Sequence, residues 1–473
     1  MNAELEFSPE RMREIGYRVI DRLVEHLATL STQPVGATAD PAVLIPALSE
    51  PPPEEGTAFE TVLAQLEQQV LRNSMHVNHP RFLAYVPGPS NFIGAMADAL
   101  ASGYNVFAGT WISGSGPAAV ELAVVDWLRD ACGFPPEAGG LFVSGGSMAN
   151  LTALAVARHV VLEDRLDGAT VYFSDQAHSS LEKALFLLGI SPGNFRRLPS
   201  DDDFRLPLDE LARSLRQDRA SGLRPFCVIA NAGTTNTGAI DPLSELSALC
   251  QAEGIWLHVD GAYGAAAALC PRGRKQLSGM GLADSLSLDP HKWLFQPFEI
   301  GCVLVRDLAQ LRDTFRILPE YLKDTHQYSE NFNFTDYGLQ LTRSFRALKL
   351  WMSIKVFGLA SFRAAIEHGF VLAEFTEASL RAMQGWEIVT PASLAVVCFR
   401  YSSGSDAFHL RVVQALLEDG FALITSTILR GRTVLRTCTI NPRTTEADIR
   451  ATLERLDFLA QTLARAQGAA KAP

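Results

Sequence analysis

Residues 285–295 have the sequence SLSLDPHKWLF, in which a short alternating run leads into a lysine between a histidine and a tryptophan. Burying a lysine costs free energy, yet Trp293 and the two apolar residues after it are not typical of a solvated face. Either Lys292 is an ordinary surface lysine beside an apolar run, or it is held inward because its amine takes part in chemistry. The rest of the chain has to distinguish these two interpretations.

Short apolar runs like the one before Lys292 recur along the chain, with amphipathic helical segments between several of them. The runs are LFVS (141–144), ATVYFS (169–174), PFCVIAN (225–231), GIWLHVD (254–260), DSLSLD (284–289) and IGCVLV (300–305). Short buried strands that alternate with helices predict an α/β fold with a mostly parallel central sheet and helices on both of its faces.

The two ends of the chain predict smaller units beside this sheet. Ser8 and Pro9 are typical of a helix start, and the helical pattern continues to Leu30 before a Pro- and Ala-rich stretch at 32–57 that predicts an extended connector. An apolar helix on such an arm needs a cover, either a partner subunit or the body of its own chain. After a long helix near 340–357, the runs VVCFRY and TVLRTCTI predict the strands of a smaller lobe. The predicted division is an N-terminal helical arm and connector at 1–90, a large domain at 91–350 and a small C-terminal α/β domain at 351–473.

Composition narrows the class of protein. The 473 residues are 47% hydrophobic and 20% charged, as in soluble globular proteins. A net charge of -11 argues against a broad nucleic-acid surface, and the seven cysteines contain no CxxC pair that would suggest a disulfide framework or a zinc site. We see no apolar run long enough to span a bilayer and no secretory signal at the N-terminus. These features favour a cytoplasmic enzyme without a nucleic-acid or membrane partner.

Five of the predicted strands end in polar or glycine-rich sequence. The stretches are VSGGSMAN, FSDQAHSS, NAGTTNTGAIDP, HVDGAYG and LDPHKW. Ligands of a parallel sheet bind at the carboxyl ends of its strands. The five stretches therefore predict one site at one edge of the sheet.

Three features of that edge complement each other chemically. The SGGS stretch at 144–147 runs from a strand into a helix and suits a phosphate, with a tight turn as the alternative. Asp260 follows apolar residues and needs a cationic partner, which a pyridinium nitrogen or a structural arginine would supply. Together with Lys292, whose amine can form a Schiff base, they fit pyridoxal phosphate. His178 and Thr235, at other strand ends, are either further ligands or a helix cap and a turn.

The order and spacing of these stretches resemble those of the group II pyridoxal-phosphate-dependent amino-acid decarboxylases, especially the aromatic-L-amino-acid and tyrosine decarboxylases. The stretches that carry the resemblance are HPRFLAYVPGPS, SGGSMANLTAL, SDQAHSSLEKA, GTTNTGAIDPL, WLHVDGAYGAA, ADSLSLDPHKWLF and RSFRALKLW. The resemblance implies fold type I, built as a tight homodimer with active sites at the subunit interface. It also implies that the N-terminal segment packs on the neighbouring subunit.

The resemblance implies roles for the residues of the site as well. Lys292 holds the cofactor as a Schiff base, Asp260 pairs with the ring nitrogen, and His178 stacks on the ring and assists proton transfer. The other cofactor positions that it implies are Gly146, Ser147, Thr235, Ala262, Asp289 and His291. Asp289 stands where animal members have Asn, and an ionised carboxylate there would repel a phosphate unless it bonds backbone amides instead.

The expected reaction is decarboxylation of an L-amino acid, with an aromatic side chain expected, to the amine and carbon dioxide. In the animal enzymes a tyrosine on a mobile loop donates the final proton, and residues 320–346 match that region. An alignment without gaps from RSFR puts Phe334 at the tyrosine position, an alignment on TDY puts Tyr337 there, and Tyr328 is a third candidate. Related plant enzymes with Phe at this position make aldehyde, ammonia and peroxide, so aldehyde synthesis is the second hypothesis.

Substrate contacts are predicted at four positions that either form an apolar pocket or belong to ordinary core: Tyr85, Gly88, Phe107 and Trp111. Aminotransfer on the same fold is a further alternative, because Arg436 resembles the arginine that holds the substrate carboxylate in aminotransferases. A non-catalytic relative that kept the fold is the last alternative, and the intact lysine, acid and histidine argue against it.

Overall fold

A seven-stranded mixed sheet forms the centre of the chain, in a computed structural model that describes residues 5–317 and 332–469. Its strands are β1 (Gly139–Val143), β2 (Ala169–Ser174), β3 (Phe195–Leu198), β4 (Arg224–Asn231), β5 (Trp256–Asp260), β6 (Ser285–Leu288) and β7 (Gly301–Val305). They lie in the order β1-β7-β6-β5-β4-β2-β3, and β7 is antiparallel to both of its neighbours while the other pairs are parallel. The predicted mostly parallel sheet is confirmed. The sequence did not predict β3, because its residues FRRL are partly polar and only one of them is buried.

Helices cover both faces of this sheet. The helices of this part of the chain are α1 (Pro9–Thr29), α2 (Pro41–Leu48), α3 (Phe59–Gln65), α4 (Phe92–Gly103), α5 (Trp111–Ala131), α6 (Gly146–Leu162), α7 (Ser179–Leu187), α8 (Leu208–Ala220), α9 (Leu243–Glu253), α10 (Pro271–Gln276) and α11 (Leu308–Phe315). Of these, α1 to α3 belong to the arm and not to the layers on the sheet. Buried residues of α6 and α7 form one hydrophobic core with the sheet, and those of α8 and α9 form another.

The residues of β5 and β6 alternate between these two cores because successive side chains of a strand point to opposite faces. The apolar residues pack into the core under α8 and α9: Leu257, Val259, Leu286 and Leu288. The intervening polar residues are therefore on the face that α6 covers, and the strand register pairs them across the two strands: His258 with Ser285, and Asp260 with Ser287. The alternation in SLSL thus has a polar side that is buried as completely as the apolar side.

A long helix connects this body to a second, smaller sheet. The helix α12 (Ala347–Ala382) is interrupted at Gly358, whose φ of 76° is left-handed. By length and composition alone α12 could cross a membrane. This differs from the expectation that the chain contains no apolar run of that length. Buried residues on both sides of Gly358 pack α12 against the rest of the chain.

The small C-terminal α/β unit that the sequence predicted is present. It consists of β8 (Trp386–Ser393), β9 (Val396–Tyr401), β10 (Thr425–Leu429) and β11 (Arg432–Cys438), with α13 (Asp406–Asp419) and α14 (Glu446–Ala469). The four strands form an antiparallel sheet in the order β10-β11-β9-β8. The division of the chain at residues 90 and 350 stays a prediction, and α12 runs through position 350.

The N-terminal arm begins as predicted. Ser8 caps α1 by accepting a hydrogen bond from the N–H of Arg11 at 3.3 Å, and Pro9 occupies the first helical position. The connector that follows is not extended throughout, because Asp40 and Pro41 repeat the same start signal and begin α2. None of the residues of α1 is buried within the chain.

Candidate active site

A cavity of about 350 Å³ lies at the carboxyl ends of β4, β5 and β6 and at the start of α6. All nine residues predicted to bind the cofactor line it: Gly146, Ser147, His178, Thr235, Asp260, Ala262, Asp289, His291 and Lys292. The sequence therefore predicted one edge of the sheet correctly as the place where these side chains meet.

The amine of Lys292 lies inside this cavity and is paired with Asp289. Its Nζ is 2.9 Å from Asp289 Oδ2, and 24% of the lysine side chain is exposed. Burial by itself lowers the pKa of the amine, but the charge and hydrogen bond of Asp289 and the charge of Asp260 outweigh it and raise the pKa above the usual value. Lys292 is thus a charged amine held inward, which excludes the surface interpretation of the opening stretch.

The start of α6 is shaped to receive an anion. The N-cap residue Gly145 provides no side-chain cap for the first N–H groups of this seventeen-residue helix. A Cβ on Gly146 would lie 2.9 Å from both Ala262 Cβ and Asp289 Oδ2, so a larger residue would fill the cradle. Asp289 Oδ1 is buried with no hydrogen-bond partner in the described residues, so it calls for a hydrogen-bond donor and not for the anion itself. The side chain is paired with Lys292 and, within the described residues, does not make the backbone-amide bonds considered from the sequence.

The carboxylate of Asp260 is held by three donors at the end of β5. Its Oδ1 accepts hydrogen bonds from the N–H of Ala262 and from Ser287 Oγ, each at 3.1 Å. Its Oδ2 accepts one from Asn150 Nδ2 at 3.1 Å. No arginine was found pairing with it in the described ranges 5–317 and 332–466, so the structural-arginine alternative is not supported. A carboxylate fixed in this way is suited to hold a proton on a heterocyclic nitrogen.

His178 serves both as a helix cap and as a wall of the cavity. It is the N-cap of α7, and its Nδ1 accepts a hydrogen bond from the N–H of Ser180 at 3.2 Å. The Oγ of Ser180 is 2.8 Å from the same nitrogen. Because a backbone N–H can only donate, Nδ1 carries no proton and the ring proton is on Nε2. The helix-cap interpretation of His178 is therefore confirmed, and its role as a ligand stays a prediction.

His291 is fixed beside Lys292. Its Nδ1 is 2.7 Å from the carbonyl oxygen of Ile300, to which the ring N–H donates. Burial, and to a smaller extent the charges of Lys292 and Lys349, lower the pKa of His291 against the opposing effect of Asp289. The imidazole therefore contributes a neutral donor and acceptor rather than a second cation.

Sequence reasoning missed several polar residues that line this cavity. Asn150, Ser180 and Glu299 are among its lining residues, and Glu299 pairs with Arg346 at 2.8 Å. The signal for Asn150 was its helical spacing from Gly146, four residues or about one turn earlier on α6. Ser287, which binds Asp260 without lining the cavity, was also missed, and its signal was its phase in the alternating SLSL run.

The two predicted loop residues lie outside this cavity. Phe334 is 0% exposed, and its ring lies 4.8 Å from that of Phe332 and 4.6 Å from the guanidinium carbon of Arg343. Tyr337 is half-buried and stacks on Phe332 with ring centroids 4.2 Å apart. Arg343 is in turn paired with buried Glu121. Phe334 thus belongs to the core beneath α6, whereas Tyr328 lies outside the described residues.

The four predicted substrate residues also lie outside the cavity of a single chain. Tyr85 is 63% exposed with a φ of 53°, and Gly88 is close enough to Phe298 that an added Cβ would lie 2.6 Å from its ring. Trp111 donates its backbone N–H to Asn333 Oδ1 at 2.9 Å, and Phe107 packs against Gly109. Their substrate roles stay predictions. Arg436, the basis of the aminotransfer alternative, donates to the carbonyl oxygens of Tyr85 and Asn236.

The charged lysine, the fixed carboxylate and the open helix start fit the aldehyde, the ring nitrogen and the phosphate of pyridoxal phosphate respectively. The surrounding sheet, with one antiparallel strand among parallel ones and a small sheet beyond, is the architecture of fold type I. The chain is therefore an enzyme of the pyridoxal-phosphate class.

Comparison with known proteins narrows this class. The chain belongs to the pyridoxal-dependent decarboxylase family, because the model of that family's conserved domain matches residues 41–402. It is 46% identical over 469 residues to the aromatic-L-amino-acid decarboxylase of Bacillus atrophaeus, with 98% of each chain covered. It is 31% identical over 456 residues to the phenylacetaldehyde synthase of Arabidopsis thaliana, with 92% of this chain and 93% of the relative covered.

Solved structures agree with this assignment. The crystal structure of Oryza sativa TDC with PLP and tryptamine matches with a TM-score of 0.92 at 28% identity, covering 97% of this chain and 100% of that one. The predicted family, the predicted cofactor and the predicted reaction class, amino-acid decarboxylation, are thereby confirmed. A non-catalytic relative is excluded as an interpretation.

Proposed function

We propose that this enzyme decarboxylates an aromatic L-amino acid and releases the corresponding amine. The observation that carries the substrate class is the 46% identity, over nearly the whole chain, to an aromatic-L-amino-acid decarboxylase. The cavity of a single chain agrees with this, because its one lysine, Lys292, is paired with Asp289 and its lining contains no arginine in the described residues. That lining therefore offers no further permanent cation to an acidic substrate side chain such as that of glutamate.

Three residues of the cavity have distinct tasks in this reaction. When bound, pyridoxal phosphate supplies a protonated pyridine ring that accepts the electron pair left behind by carbon dioxide. Asp260 would hold the proton on the ring nitrogen, and Lys292 would hold the cofactor through its aldehyde. His178 presents its Nε2–H toward the cavity, where it orients a carboxylate or moves a proton.

The position of Phe334 supports the amine over the aldehyde as product. Aldehyde synthesis was inferred from a phenyl ring in place of the loop tyrosine, and that inference requires the ring to reach the cofactor. Phe334 is fully buried against Phe332 and Arg343. A side chain packed in the core in this way does not reach either active site of a dimer. Phe334 therefore no longer supports the hypothesis of aldehyde synthesis.

We further propose that the enzyme is a cytoplasmic homodimer whose second subunit completes the substrate pocket. The helix α1 exposes large apolar side chains, including Tyr17 and Val24 at 67% and 50%, which a second copy would cover. Tyr85 and Ile112, at 63% and 61% exposed, would gain the same cover. All seven cysteines are free and buried, in agreement with a reducing compartment.

A panel of L-amino acids with identification of products by mass tests the proposal. We expect phenylalanine, tyrosine, tryptophan or a close relative to give amine and carbon dioxide in equal amounts. Turnover of glutamate or cysteine sulfinate in preference to these would contradict the substrate class. Ammonia and peroxide in proportion to carbon dioxide would establish the aldehyde route, and keto-acid-dependent turnover would establish aminotransfer. Sedimentation at the mass of one chain, 51.5 kDa, would exclude the dimer.

A further inference from the structure

A chain of buried hydrogen bonds lies behind the carboxylate of Asp260, on the polar side of β5 and β6. Trp256 Nε1 is 2.8 Å from Ser285 Oγ, and that oxygen is 2.9 Å from His258 Nδ1. His258 Nε2 is 3.0 Å from Asn150 Oδ1. The chain thus connects an indole at the amino end of β5 to an amide on the first turns of α6.

The chemistry of its ends fixes the direction of every bond in this chain. The carboxylate oxygen of Asp260 accepts, so Asn150 turns its Nδ2 toward Asp260 and its Oδ1 toward His258 Nε2. The neutral His258 must then donate from Nε2, so its Nδ1 accepts from Ser285 Oγ, and that oxygen accepts from the indole N–H of Trp256. This leaves Asn150 with its two amide protons directed away from the chain, toward the cavity.

The two amide protons of Asn150 serve both sides of the cofactor site. One is donated to Asp260 Oδ2 at 3.1 Å, and the other to Ser180 Oγ at 3.1 Å. Ser180 Oγ lies 2.8 Å from His178 Nδ1 and donates its proton there, in addition to the Ser180 N–H. Asn150 is therefore the branch point at which one network reaches both the acid and the histidine of the site.

We propose that Asn150 is a positioning residue that fixes the carboxylate of Asp260 as a hydrogen-bond acceptor and, through Ser180, keeps the proton of His178 on Nε2, facing the cavity. The residues of the network are neutral and act through their hydrogen bonds alone. The carboxylate of Asp260 therefore remains the group that provides negative charge to the ring nitrogen. The inference concerns the cofactor site and stands whichever amino acid is the substrate.

Burial makes the arrangement specific. Asn150, His258 and Ser285 are 1%, 0% and 0% exposed, so no water competes for their hydrogen bonds. Burial also lowers the pKa of His258 to about 4 against the attraction of Asp260, which keeps the imidazole neutral at physiological pH. Replacing the amide of Asn150 by a carboxylate of the same shape would remove both N–H donors while keeping the oxygen that His258 binds. It would also put a second carboxylate against Asp260, and the pair would take up a shared proton, which weakens the negative charge offered to the ring nitrogen.

The test compares Asn150→Asp with Thr152→Val, a buried control on the same helix whose hydroxyl bonds only the helix carbonyl of Met148. We expect Asn150→Asp to weaken pyridoxal phosphate binding, measured by fluorescence titration, by about tenfold or more, as for the loss of one hydrogen bond to a charged group. We also expect the pH midpoint of the visible absorption band of the holoenzyme to move upward, because a less protonated ring acidifies the Schiff base of Lys292 less. Thr152→Val should leave both quantities unchanged.

A second variant tests the histidine branch even if Asn150→Asp does not fold. In ¹⁵N-histidine-labelled holoenzyme we expect the His178 signal, assigned with His178→Gln, to show a proton on Nε2 alone. Ser180→Ala removes the hydroxyl donor but keeps the backbone N–H that binds Nδ1. It should therefore leave the proton on Nε2, speed its exchange with solvent, and lower kcat without changing the dissociation constant of the cofactor. Unchanged binding and absorption in Asn150→Asp would overturn the proposal. A wild-type His178 that is protonated on Nδ1 would overturn it as well.

Discussion

Substituting Phe334 by tyrosine separates the two possible roles of this residue. If the ring reached the cofactor, the new hydroxyl would supply a proton and would shift the products of an aldehyde-forming enzyme toward amine. In the structure the ring is fully buried between Phe332 and Arg343. We therefore expect Phe334→Tyr to leave the ratio of amine to carbon dioxide unchanged and to destabilise the fold.

The magnitude of the destabilisation follows from what the hydroxyl meets. The terminal nitrogens of Arg343 already donate to Ala108 O, Phe142 O and Glu121, while its buried Nε has no partner in the described residues. Overpacking a filled core costs about 1–3 kcal/mol, and a hydroxyl that does not reach this Nε adds a similar cost. We expect a lower melting temperature by circular dichroism of the holoenzyme.

The control for Phe334→Tyr is a phenylalanine of the same core. Phe226, 1% exposed, belongs to the same hydrophobic core away from the loop, and Phe226→Tyr should likewise lower stability and leave the products unchanged. Amine, ammonia and peroxide are measured for each mole of carbon dioxide released. A folded Phe334→Tyr enzyme with an altered product ratio would refute the reasoning, because it would place this side chain at the reacting carbon. A loss of amine in Tyr337→Phe would instead assign the proton to Tyr337.

The site and the buried histidines give three further predictions. Lys292→Ala should abolish the visible absorption band of the cofactor and its capture by borohydride, and a retained band would disprove the role of this amine. Asp289→Asn removes the charge that raises the pKa of Lys292, so it should speed the uptake of pyridoxal phosphate near neutral pH, followed by absorbance from pH 6 to 9; slower uptake would contradict the pairing. His79 and His258 each have a pKa of about 4 in the fold against 6.5 ordinarily. The unfolded chain therefore binds more protons than the folded chain between pH 4 and 6.5. The contribution of the two histidines to the free energy of unfolding should be fully present above about pH 6.5 and should decrease toward pH 4, by roughly 3 kcal/mol for each histidine. Denaturant unfolding at several pH values measures this fall, which should become shallower in His79→Gln.

Much of the cofactor site was predictable from the sequence because its residues lie at the carboxyl ends of the strands. Lys292, Asp260 and His178 each stand just after a buried strand, and parallel strands bring their carboxyl ends to one edge. Asn150 and Ser180 carry no such mark, since a short polar residue inside or at the start of a helix is ordinary in sequence. Their role follows only from which side chains face them across α6, α7 and β5.

The loop was beyond the reach of the sequence for a different reason. Two alignments that differ by a three-residue gap place either Phe334 or Tyr337 at the expected tyrosine, and the pattern of residues supports both. Packing distinguishes them in part, because it uses Phe334 in the core. Similarly, β3 and β10 are short and partly exposed, so neither shows the apolar run by which the other strands were recognised.

The polar side of β5 and β6 has a consequence for protein engineering. Buried polar groups are natural targets in a search for thermostable variants, since fully bonded polar sets can often be exchanged for hydrocarbon at no cost to folding. Here such a search would select apolar replacements at His258 and Ser285. The selected variants would be heat-stable as apoprotein but would bind pyridoxal phosphate less well, because the network behind Asp260 would be broken. Directed evolution for heat resistance should therefore vary the apolar face of these strands and should test every heat-stable variant for the visible absorption band of the bound cofactor.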